Sequence, residues 1–307
     1  MKKKIQNTII LIILILIFIY SLIKSNIVME SAIIALEIWK KKVFPSLFPM
    51  FIIIDLLMNY NIISVLNHMF YKAFYKLFHF NKEELYIFFI SSIGGFPSSS
   101  KYTAKLYKDN LISLDNANRM LMCSHFSNPI FIFGTIESLF PYKKLCLLIF
   151  ISHYLGNLVL AFYTREHQEY NNYKRKEKDN ISFSDCLTNS ISSNTKTLIF
   201  ILGSITIFYV LSSLITNNIN NEIISSMISG LLEITQGITK ISNITNISIH
   251  TKATLITFFL SFGGLCVHIQ TIGMINNTKL SYFKFLKGRI IHSTLSVIFY
   301  IILNELF

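Results

Sequence analysis

The chain reads as an all-α, polytopic membrane protein, and three observations carry that reading. Several apolar runs reach the roughly 20 residues that a helix needs to cross about 30 Å of hydrocarbon. Of its 307 residues, 52% are hydrophobic and 14% charged, whereas soluble domains run nearer a quarter charged. Two of the apolar runs are interrupted by glycine pairs, at Ser92-Ile93-Gly94-Gly95-Phe96-Pro97 and at Ser261-Phe262-Gly263-Gly264. Irregular backbone at membrane depth survives only where protein or water covers it, so these breaks predict discontinuous or re-entrant helices around a polar cavity.

The formal net charge of +12 fits basic loops beside apolar spans, which set topology and meet anionic lipid headgroups; no nucleic-acid footprint is read from it. Cys123, Cys146, Cys186 and Cys266 are far apart with no C-x-x-C pair, which supports neither a zinc knuckle nor a disulfide framework. They read as small core residues.

In chain order, Met1–Lys4 is basic and leads into an Ile/Leu-rich run to Ile23. That run is too long for a signal-peptide core and no cleavage site precedes Lys24, so residues 1–26 are expected to form an uncleaved transmembrane helix with a cytoplasmic N-terminus. Residues 27–163 form the first of two expected repeats. It opens on Ile27–Lys42, whose glutamates and lysines predict an interfacial amphipathic helix with Trp39 at headgroup level. Val43–Met58 follows, with Pro45 and Pro49 on one face and Asp55 as its only carboxylate. An acid inside a span is a functional candidate, here for ion coupling, although an acid near the far end of the span that only pairs with a lysine would look the same. Ile62–Phe80 alternates apolar residues with Lys72 and Lys76 in a helical period. After the first break, Asp115 is placed to cap a helix starting at Asn116. Polar residues and Pro129 interrupt the next run at Ser124–Asn128, and His125 is a weaker coupling candidate. Leu145–Tyr163 is a clean span in which Ser152 and Gly156 suit close helix packing.

Residues 164–182 form the most soluble stretch, a basic loop expected in the cytoplasm. Residues 183–307 form the second repeat: a span from Leu198, an amphipathic helix Asn221–Lys240, the second break and a last span from Arg289.

The shared Ser-apolar-Gly-Gly pattern predicts paired broken helices meeting at one site. A helix restarted after such a break exposes unpaired N–H groups and the positive end of its dipole. Ser98, Ser99 and Ser100 add donors, and Lys101 and Lys105 add charge. These groups suit a small carboxylate or phosphate, although glycines that only permit tight crossing and serines that only satisfy backbone would look the same. The expected lining is Gly94, Gly95, Ser98, Ser99, Lys101, Ser127, Asn128, Gly263, Gly264, His268 and Gln270. No metal site is expected: His125, His153 and His268 lack an H-E-x-x-H motif or a nearby carboxylate. No Walker A loop is present, since no glycine precedes Lys101. No cofactor and no enzymatic activity are expected.

Five segments together, Val43-Phe44-Pro45-Ser46-Leu47-Phe48-Pro49, Gly94-Gly95-Phe96-Pro97 with Lys101, Phe126-Ser127-Asn128-Pro129 with Phe131-Ile132-Phe133-Gly134, His153-Tyr154-Leu155-Gly156-Asn157 and Ser261–Gln270, resemble the YlbJ-type sporulation integral membrane proteins of spore-forming Firmicutes. The resemblance runs over roughly residues 28–300, with Ser99-Ser100 where a Gly-Ala pair is usual and Cys266 where serine is usual. It implies a nucleoside-recognition or Gate core with two Gate-like repeats, the core shared with concentrative nucleoside transporters, spore maturation proteins and ferrous iron transporters. It also implies a role in spore formation: moving dipicolinic acid, made in the mother cell, across the outer forespore membrane. Dipicolinate is a small planar dianion, compatible with a cationic, hydroxyl-rich site, but the residues alone would equally suit any small anion. The rival expectations are a transporter of a nucleoside-like solute and a non-transporting scaffold that recruits other sporulation membrane proteins through the basic loop.

Overall fold

The computed structural model describes residues 2–60, 62–166 and 182–307; most of the expected basic loop lies outside them. Every regular element among the described residues is helical. In order these are α1 (Lys2–Ile23), α2 (Ser25–Ile38), α3 (Phe44–Asn59), α4 (Ile62–Phe78), α5 (Lys82–Gly94), α6 (Ser98–Lys108), α7 (Leu114–Cys123), α8 (Glu137–Leu139), α9 (Lys143–Tyr163), α10 (Phe183–Thr216), α11 (Glu222–Leu232), α12 (Ile234–Asn243), α13 (Ile249–Phe262), α14 (Gly264–Ile275) and α15 (Tyr282–Leu306). Wider π-helical turns at Trp39–Val43 and Phe131–Ile136 lead into α3 and α8. Six helical stretches among the described residues are long and apolar enough to cross a membrane: α1, Ser25–Asn59, α9, α10, Ile249–Ile275 and α15.

Two local expectations change. Ile27–Lys42 is not a separate interfacial helix: α2 runs through the π turn into α3 as one 35-residue span. The wider turn lets the chain enter Pro45 without a break, because Pro45 sits in the first turn of α3, where a missing N–H is tolerated. Trp39 is tied into the protein, its indole N–H donating to the Leu198 carbonyl at 3.1 Å. Asp115 is not the cap of α7. The Ser113 hydroxyl accepts from Asn116 N at 3.1 Å, and Asp115 lies in the first turn, where its charge favours the helix dipole.

Asn81 and Glu84 form a reciprocal capping box at the start of α5. The other Glu84 oxygen meets Arg119 of α7 at 3.4 Å, and that guanidinium lies over the Phe80 ring and donates to the Phe78 carbonyl. A charge this deeply buried is tolerable only when paired and hydrogen-bonded. Elsewhere α9 crosses α15 at Gly156, where an added Cβ would lie 2.5 Å from Ser296 Oγ. The Ser152–Gly156 spacing therefore marks a close crossing, as expected.

The two Ser-apolar-Gly-Gly segments occupy different kinds of place. Gly94-Gly95 forms the tip of a helical hairpin: α6 folds back on α5, bringing the Tyr86 and Tyr102 rings to 6.5 Å. Gly263-Gly264 instead interrupts one span, Ile249–Ile275, that continues as α14. The hairpin that matches α5/α6 in chain order is α11/α12. It was expected as a single amphipathic helix, yet it turns at Glu233 and closes so tightly that a Cβ on Gly237 would lie 2.2 Å from Gly230 Cα. The interruption that matches Gly263-Gly264 is 124–130, between α7 and the Phe131 turn. In chain order, then, α5/α6 precedes the break at 124–130 and α11/α12 precedes the break at Gly263-Gly264.

Candidate functional site

Each hairpin tip is seated on the helix break that follows it in the chain. At the first tip Gly95 has φ +71°, and a Cβ there would sit 2.6 Å from Asn128 N. Only glycine meets both the left-handed backbone and that approach. Asn128 then joins three segments: its amide donates to the Ser46 carbonyl at 3.3 Å and to the Gly94 carbonyl at 3.5 Å, and its Oδ1 accepts from Phe131 N at 2.5 Å. At the second tip Gly264, with φ +58°, lies where an added Cβ would be 3.3 Å from the Gly230 carbonyl and 3.4 Å from that of Leu232.

Both tips and both breaks border one cavity. Phe96, Ser127 and Asn128 reach it from the first half, and Glu233, Thr235, Cys266 and Gln270 from the second; Val43, Leu47, Ile201 and Ile205 supply apolar walls. The arrangement is an apolar pocket with a few convergent polar groups, the usual character of a small-solute site. Its electrostatics differ from the cationic site expected, because the charged side chain in the lining is a carboxylate. Glu233 is 3% exposed. It caps α12, its Oε2 accepting from Gln236 N at 2.7 Å and from the Thr235 hydroxyl at 2.5 Å. The Thr235 backbone adds a further hydrogen bond to this carboxylate. The Ser127 hydroxyl has no hydrogen-bond partner among the described residues, although Ser127 N donates to His153 Nε2 at 2.9 Å. Gln270 donates to Ser204 Oγ at 3.0 Å.

Of the residues expected at the site, Ser127, Asn128 and Gln270 line the cavity and Gly94 and Gly95 support it from behind Asn128. Gly263 and Gly264 shape the second break. The hydroxyls of the first hairpin are taken up internally: Ser98 donates to the Gly95 carbonyl, Ser99 bonds Ser124 Oγ at 2.8 Å and Ser100 donates to the Pro97 carbonyl at 2.9 Å. His268 lies between the Tyr282 hydroxyl at 2.9 Å and the Phe262 carbonyl at 3.1 Å. Lys101 and Asp55 meet each other, with Lys101 Nζ 3.7 Å from Asp55 Oδ2, and neither lines the cavity. His125 stacks on Phe96 with ring centroids 5.3 Å apart, and its ring nitrogens have no hydrogen-bond partner among the described residues. No group of three metal-ligating side chains is found among the described residues.

Two residues escaped the sequence reading. Glu233 was hidden inside an apparently continuous helix; a carboxylate followed by Thr235-Gln236 and flanked by Gly230 and Gly237 was the available signal. Arg289 lies on the last span, fully buried, and answers a need the breaks create. The carbonyls at the end of an interrupted helix have no partner in the next turn. Arg289 donates to Met122 O at 2.8 Å and His125 O at 3.1 Å in the first break and to Ser261 O at 3.4 Å at the end of α13. A cation at two helix C-termini is also favoured by both dipoles. His292 supports it, with Nδ1 2.8 Å from the guanidinium and Nε2 2.8 Å from the His153 carbonyl.

Compared with known proteins, the chain is similar to the "Sporulation integral membrane protein YlbJ" of Bacillus subtilis (strain 168), with 25% identity over 314 aligned positions covering 89% of this chain and 77% of the relative. No family model and no solved structure matches it.

Proposed function

We propose that this chain, like the relative it resembles, is a sporulation membrane protein of the YlbJ type, and that it is a transporter carrying dipicolinate across the outer forespore membrane through the cavity between its hairpin tips. The observation that carries the transporter reading is the convergence of both hairpin tips and both helix breaks on that cavity. Four interruptions of regular backbone inside apolar helices are costly unless they line a solute path. The scaffold alternative gives no reason for them.

The cavity offers a small solute both polar and apolar partners. Ser127, Asn128, Thr235 and Gln270 supply polar groups to its lining, and Phe96 and Val267 supply apolar ones. Glu233 sets a condition on an anionic solute: two carboxylates in a dry cavity repel unless they share a proton. Dipicolinate would therefore travel with one proton held between the Glu233 carboxyl group and a solute carboxylate, and the step takes that proton from the aqueous phase. The same carboxylate in the lining supports a second reading, in which a hydroxyl-bearing, nucleoside-like solute donates to Glu233.

Reconstitution decides between them. Protein in liposomes should take up labelled dipicolinate saturably, faster below neutral pH, and above vesicles without protein. Uptake of a nucleoside with no response to dipicolinate would select the second reading. Uptake of neither would remove the transporter reading.

A further inference from the structure

The charged pair behind the first hairpin has no part in the cavity, and its geometry suggests a different task. Asp55 of α3 is buried and accepts from the Tyr102 hydroxyl at 2.9 Å, the Ser190 hydroxyl at 3.2 Å and Asn194 Nδ2 at 2.7 Å. Lys101 completes the cluster, 3.7 Å from Asp55 Oδ2 and donating to Asn194 Oδ1 at 2.5 Å. The ammonium is further held over the rings of Phe51 and Tyr102, at 5.5 and 5.2 Å. Three elements meet here: α3 and α10 are spans, and α6 is the second arm of the hairpin whose tip borders the cavity.

We propose that Asp55, Lys101 and Asn194 form a latch that holds the first hairpin docked against α3 and α10, so that the hairpin leaves its seat on Asn128 only when this pair parts. Lys101 is then a positioning residue for the hairpin and no ligand of the solute. A buried ion pair suits such a task. Removing one partner strands the other charge, while replacing both by neutral groups of similar shape is often tolerated. The latch rests on the transporter reading only for what the hairpin's release serves; the docking itself needs no solute.

The test uses the full chain in lipid nanodiscs and hydrogen–deuterium exchange, with peptides from 82–108 reporting the hairpin and peptides from α9 and α15 as internal reference. Asp55→Asn and Lys101→Met should each speed exchange in the hairpin by about tenfold or more while the reference stays unchanged. The double variant should return the hairpin to within about threefold of wild type. Unchanged hairpin exchange in the single variants would overturn the latch, as would loosening spread equally over α9 and α15, or a double variant no better than the singles. If the single variants do not fold, Tyr102→Phe and Ser190→Ala each remove one donor and should loosen the hairpin alone by about two- to threefold; no change in either also overturns the proposal. Exchange is read without solute. A protein that transports nothing can therefore still show the latch, and a failed latch leaves the transport assay to be judged separately.

Discussion

Gly95 approaches Asn128 so closely that a single added carbon would stand 2.6 Å from the Asn128 backbone nitrogen. The first hairpin is thus seated by a backbone-to-backbone contact at the edge of the cavity, with the Asn128 side chain bonded to both neighbours.

Gly95→Ala should unseat that tip. The substitution meets a left-handed backbone and a clash with main-chain atoms that cannot rotate away, so a loss of about 2 kcal/mol or more is expected. Denaturant titration of the purified protein checks it. Uptake should fall with stability, because the seat also shapes the cavity wall.

Glu233→Gln keeps the size of the side chain and an oxygen that can still cap α12. Stability should stay within about 1 kcal/mol of wild type. Dipicolinate uptake should lose its acceleration at low pH, since the amide cannot take up the proton that the acid shares. A wild-type pH profile in this variant would remove Glu233 from the proton path.

Ser127→Ala removes a buried hydroxyl that bonds nothing among the described residues. Its effect on stability should be within about 0.5 kcal/mol, because no hydrogen bond is lost. The Michaelis constant for the solute should rise about three- to tenfold, the loss expected for one hydrogen bond to a ligand.

Gly237→Ala tests the second hairpin. A Cβ would fall 2.2 Å from Gly230 Cα, in the middle of the α11/α12 contact. Forcing these helices apart should cost about 2–3 kcal/mol. Substitution at Gly203, where a Cβ meets nothing within 4 Å, should be nearly silent; both are read by thermal unfolding in detergent.

The spans and most of the breaks were legible because both are local chemistry. Apolar length marks a crossing, and Gly94-Gly95-Phe96-Pro97 or Ser127-Asn128-Pro129 cannot continue a helix, whatever surrounds them. Which breaks reverse the chain was not legible. Gly94-Gly95 and Gly263-Gly264 look alike in sequence, yet one turns a hairpin and the other bends a span, because the outcome depends on what packs against each. The second hairpin escaped notice because Glu233 alone makes its turn, and α11 and α12 keep apolar faces on both sides of it. The site was half legible: Ser127, Asn128 and Gln270 could be picked from their positions at breaks, but the partner of a charge cannot be read along the chain. Lys101 looked like a free cation because Asp55 and Asn194 reach it only through the fold.

Arg289 sets an order on assembly. It lies on α15, which follows both breaks in the chain, and its donors close carbonyls at Met122, His125 and Ser261. His125 O is also met by Asn157 of α9 at 2.9 Å, whereas the Met122 and Ser261 carbonyls receive their side-chain donors from α15, the last helix to be made. The last helix is therefore the step at which the earlier breaks become stable structure.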